Sequence, residues 1–89
     1  MPQETKPYLI EYSYMNKSTY SRMIKAESLK ECIITFATEY VDGNNNVLLN
    51  KALVGCDDNQ SIIEMFNVFR KGNQQINAVY TVNEVVYER

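Results

Sequence analysis

Apolar residues at Leu29, Cys32, Ile33, Phe36, Ala37 and Tyr40 recur at i, i+3, i+4, i+7, i+8 and i+11, a spacing that predicts an amphipathic helix over Ser28 to Val41. Ser28 and Glu31 form an S-x-x-E capping box at its start, and Asp42-Gly43 supplies its stop. Before it the period changes from 3.6 to 2. Tyr8, Ile10, Tyr12 and Tyr14 alternate with Leu9, Glu11, Ser13 and Met15, and Tyr20, Arg22, Ile24 and Ala26 alternate with Ser21, Met23 and Lys25. With Asn16-Lys17-Ser18 as a tight turn, these two segments read as a β-hairpin leading into the helix.

Gly43-Asn44-Asn45-Asn46 reads as a loop, because Asn and Gly favour local side-chain hydrogen bonds and positive φ. For Val47 to Val54, the short length, the bounding turn residues and the polar Asn50-Lys51 interruption favour a strand over further helical turns. After a second loop, Gly55 to Gln60, the capping pattern recurs in Ser61 and Glu64. Ile62, Met65, Phe66 and Phe69 form the stripe, and Arg70-Lys71-Gly72 closes the helix. The last segment, Ile76 to Tyr87, is rich in β-branched and aromatic residues. Its alternation slips near Asn83-Glu84, which is read as a bulge or an edge bend.

The expected fold is therefore α+β, in the order β-β-α-β-α-β, with two amphipathic helices packed on one face of a four-stranded mixed or antiparallel sheet. The strands around the second helix would be parallel through a right-handed crossover if they share that sheet. Residues 1–7 are expected to be a flexible leader and 8–89 a single domain, since 89 residues leave no room for a second core.

Composition narrows function mainly by exclusion. No apolar run approaches the length of a membrane span, and the N-terminus lacks a signal-peptide pattern, so a cytoplasmic protein is expected and its two Asn-x-Ser sequons, at Asn16 and Asn59, are read as chance. A net charge of −2 without charge blocks offers no track for a polyanion. The chain has no histidine, which removes the commonest neutral-pH base and metal ligand. Cys32 lies on the buried stripe, and Cys56, the more accessible of the two, is followed by Asp57 and Asp58, which disfavour a thiolate. Both cysteines are expected to be reduced. Asp57-Asp58-Asn59 lacks the spacing of a calcium loop and reads as charge favouring the next helix N-terminus. Gly43, Gly55 and Gly72 are isolated, so no phosphate-cradling loop is present. No enzyme motif, metal site or cofactor is expected.

Seven tyrosines in 89 residues, with no tryptophan, are the unusual feature. Part of this set is expected to be core and cross-strand pairing. The remainder, Tyr12, Tyr14, Tyr20, Tyr80 and Tyr87 together with Arg22, is expected to bind a protein partner, since tyrosine brings rigid contact area with a polar tip. Stacking of single-stranded nucleic acid on the same rings is the alternative, disfavoured by the charge balance. The final segment, residues 76–87, is a further candidate for homodimerisation if it lies at a sheet edge.

Asn59-Gln60-Ser61-Ile62-Ile63-Glu64-Met65-Phe66, continued by Phe69 and Lys71-Gly72, resembles a helix of a small anti-CRISPR protein of phage origin. The short Asn- and Tyr-rich chain also looks like the accessory proteins with which bacteriophages bind and disable host machinery. That resemblance implies a phage-encoded inhibitor acting on a host protein in the host cytoplasm. The strand order and strongly acidic character of the anti-CRISPR protein are not matched, so none of its inhibitory residues is carried over.

Overall fold

A computed structural model describes residues 4–14 and 18–89. Among these the elements run β1 (Lys6–Tyr14), β2 (Ser18–Ala26), α1 (Leu29–Ala37), α2 (Gly43–Leu53), α3 (Asn59–Phe69), β3 (Gln74–Tyr80) and β4 (Val85–Glu88). The fold is α+β, a four-stranded antiparallel sheet in the order β2-β1-β3-β4. Its core-facing residues include Tyr8, Ile10, Ile24, Ala26, Ile76 and Val79, and they form one buried cluster with residues of all three helices. The radius of gyration is 12.4 Å, against about 12 Å for one compact domain of this length.

The hairpin and the first helix start follow the sequence pattern. β1 and β2 pair from Lys6 with Ala26 to Tyr14 with Ser18, so the first strand begins inside the expected leader. Of the turn assigned to Asn16-Lys17-Ser18, Ser18 is instead the first residue of β2, and the other two lie outside the described residues. Ser28 caps α1, its Oγ accepting from the Glu31 N–H at 3.3 Å. The Glu31 carboxylate accepts from the Glu27 N–H at 3.2 Å, one residue before the cap itself. Leu29, Cys32, Ile33, Phe36 and Ala37 are buried; each large side chain among them contributes about 1.5–3 kcal/mol.

The middle of the chain departs from the expectation. The first helix stops at Ala37 rather than Val41, and Asp42-Gly43 opens a second helix instead of ending the first. Asp42 caps α2 by accepting from the Asn45 N–H at 3.0 Å. Asn46 Nδ2 donates back to the Val41 carbonyl at 2.7 Å, in the turn that joins α1 to α2. Residues 43–46 and 47–54, read as loop and strand, are thus mostly α2, which buries Leu49 and Leu53 one turn apart. Among the described residues the strand pairings are antiparallel, and the expected parallel crossover is absent.

The third helix begins at Asp58, not Ser61: Asp58 Oδ1 accepts from the Ser61 N–H at 2.7 Å. That bond holds the Asp58 carboxyl below its ordinary value of 3.8. Arg70, in extended conformation, ends the helix before Gly72 is reached. Gly72 serves the turn into β3, with φ of 92°. The 76–87 segment is a hairpin rather than one strand. Thr81 N–H donates to the Glu84 carbonyl at 2.9 Å, and β3 is interior, which leaves Val85–Glu88 as the part available to pair with a second copy. Where Glu11 pairs with Ala78 and Tyr12 with Ile76, Asn77 is the extra residue of a bulge, and its Nδ2 donates to Ser13 Oγ at 2.7 Å.

Candidate functional site

The register places Tyr12 directly opposite Tyr20, with Tyr14 two residues along on the same side of β1. This is the side that carries the helices, yet Tyr14 and Tyr20 are exposed by 44% and 48%, whereas Tyr8 is buried. Tyr40, in the turn after α1, arrives from the helical layer. Tyr12, Tyr14, Tyr20 and Tyr40 line one shallow recess of about 310 Å³.

The rings form a graded stack. Tyr20 lies 5.7 Å from Tyr12 at 31°, and Tyr12 meets Phe36 edge-on at 5.0 Å. Phe36 in turn contacts Phe66 at 5.5 Å in the centre of the core. Tyr40 sits 5.8 Å from Tyr12 and 4.9 Å from Phe36. Aromatic pairs at these separations contribute about 0.5–1.5 kcal/mol each beyond area burial. Through these contacts Tyr12, Tyr20 and Tyr40 are anchored to the buried Phe36 and Phe66.

Tyr40 is held from three sides. Its hydroxyl donates to the Tyr12 hydroxyl at 3.1 Å, and its carbonyl accepts from the Lys71 N–H at 2.8 Å. Next to it Glu39 pairs with Arg22 at 2.6 Å, bridging the turn to β2. Burial first, then the Tyr12 hydrogen bond and the Glu39 charge, push the Tyr40 phenol above its ordinary 10.0, while Arg22 acts in the opposite direction.

Of the residues singled out from sequence, the structure gathers Tyr12, Tyr14, Tyr20 and Arg22 at this end. It separates the other two. Tyr80 pairs with Leu9 and lines a recess of about 170 Å³ with Pro7, Leu9, Met23, Thr81 and Val82. Burial and the charges of Glu11 and Glu88 raise its phenol. Tyr87 pairs with Val79 and packs against the core from β4. Tyr40 and Glu39 were not recognised, because Tyr40 fitted the first helix stripe at i+11. The helix ends before it.

The thiols lie elsewhere. Cys56 is buried rather than accessible, its Sγ 3.6 Å from the Ala52 carbonyl and 3.8 Å from that of Ser61. Cys32 is fully buried, and burial with the nearby Glu31 charge pushes its thiol up to about 12. Both are free. Among the described residues no group of three or more Cys, Asp or Glu is placed to hold a metal ion, and no helix is long and apolar enough to cross a membrane. Comparison with protein-family models, curated proteins and solved structures finds no match.

Proposed function

We propose that this chain is a small non-enzymatic interaction module that docks a second protein on the Tyr12, Tyr14, Tyr20 and Tyr40 recess and modulates that protein's activity. The observation that carries the reading is the convergence of four tyrosines from two strands and a turn on one open recess, with Arg22 and Glu39 alongside. Rigid aromatic side chains already fixed by a core lose little entropy on binding, which is why tyrosine concentrates at contact hot spots. The buried thiols favour the same reading, since neither is offered to a substrate. It also agrees with the role implied by the resemblance to phage inhibitors of host proteins.

The test is affinity capture with the wild type, a Tyr14→Ala/Tyr20→Ala double variant and a Tyr80→Ala control from the opposite sheet face. Proteins retained by the wild type and the control, but lost with the double variant, support docking at the recess. Capture indifferent to Tyr14 and Tyr20 overturns it. So does retention of single-stranded nucleic acid whose affinity falls steeply with salt.

A further inference from the structure

We propose that the tyrosine recess takes up a cationic side chain of the partner, a lysine, a methylated lysine or an arginine, with Glu39 as its counter-charge. This rests on the docking reading above and adds the chemistry of the guest. Tyrosine faces carry the negative lobe of the ring quadrupole, so several rings around one opening attract a cation that has left water. The hydroxyls of Tyr12 and Tyr40 are hydrogen-bonded to one another, and tyrosines line the recess.

The charge at the border points the same way. Glu39 is held beside Tyr40 by Arg22, whose side chain is one-third exposed and whose ion pair is therefore weak. An entering cation exchanges with Arg22 for a carboxylate already in place. An anion would have to draw Arg22 away and uncover that carboxylate against itself. Burial and the Tyr12 hydrogen bond also keep the Tyr40 phenol protonated, so its ring remains a neutral wall.

The test uses tyrosine ring-proton NMR shifts during titration with the N-acetyl amides of trimethyllysine and arginine. The neutral carbon isostere of trimethyllysine and a thymidine oligonucleotide serve as comparators. A cation should bind at least about twofold more tightly than the isostere, the ratio that corresponds to the lower end of cation–π attraction at an exposed site. Tyr20→Phe should retain that preference, and Tyr20→Leu or Tyr14→Leu should lose it. Glu39→Gln should weaken cation binding and Arg22→Gln should tighten it. Equal binding of the isostere, the opposite signs for Glu39 and Arg22, preference for the oligonucleotide, or no ring shifts at millimolar cation each overturn the inference. If any of these except the oligonucleotide preference occurs while protein capture still depends on Tyr14 and Tyr20, docking stands and only the cationic guest is wrong.

Discussion

The hydroxyl of Tyr40 donates to that of Tyr12 across 3.1 Å, joining the turn after α1 to a strand 28 residues earlier in the chain. Replacing Tyr40 by Phe keeps the ring contacts with Tyr12 and Phe36 and removes this bond alone. The expected loss is about 1 kcal/mol, read as a lower midpoint in urea with an unchanged slope.

Alkaline unfolding should follow the same residues. A phenol or thiol raised by folding binds its proton more tightly in the native state, so its contribution is complete below the unfolded value and is lost as pH rises. For Cys32 the window runs from 9.0 to about 12, and for Tyr40 it opens at 10.0 and extends upward. Melting temperature should fall progressively above pH 9, and Tyr40→Phe should flatten the part above pH 10. At neutral pH both thiols should resist alkylation until denaturant is added.

The helix caps make an ordered series. Ser28→Ala should cost about 1 kcal/mol, or roughly 4–8 °C in melting temperature. Asp58→Ala should destabilise more than Ser61→Ala, because Asp58 accepts the capping bond and Ser61 donates it from its backbone. The carboxyl of Asp58 is depressed, so its contribution is present above pH 3.8 and fades as pH falls through its native value.

Phe36 touches Tyr12, Tyr40 and Phe66, linking recess to core. Phe36→Ala should cost about 3–5 kcal/mol. Phe36→Leu should cost less, yet it should broaden the Tyr12 and Tyr40 ring signals in NMR by removing the surface they lean on.

Gly72 has φ of 92°, and a Cβ there would lie 3.1 Å from the Gln74 side-chain amide nitrogen. Gly72→Ala should therefore destabilise by about 1 kcal/mol or more through strain alone, checked by thermal melting.

The first hairpin and the faces of α1 and α3 were legible because each has a clean period and a buried stripe. α2 was not. Its buried Leu49 and Leu53 are spaced as a helix requires, but Val47, Leu48 and Val54 are exposed, so apolar residues sit all around it and erase the 3.6 period. The signal that would have found it is Asp42 followed by Asn45 and Asn46: Asp42 caps the start of α2, and the Asn46 amide reaches back to the Val41 carbonyl just before it. Gly43 drew attention as a stop when it is the first residue of a helix. The same shift hid Tyr40, which a helix running to Val41 would have carried along its stripe. Of the recess, Tyr12, Tyr14, Tyr20 and Arg22 could be named from alternation in two strands, whereas the turn that completes it depends on packing between helices.

The place of β3 between β1 and β4 also governs how the molecule is made. β1 acquires its first neighbour within one short hairpin, but its second arrives only when Gln74–Tyr80 has been synthesised. Until then a growing chain offers a bare row of amides and carbonyls beside Tyr8 and Ile10, a template for misassembly with other nascent chains. Slow emergence from the ribosome should lengthen that hazard, and shielding by chaperones should matter most in the interval before residue 80 is free.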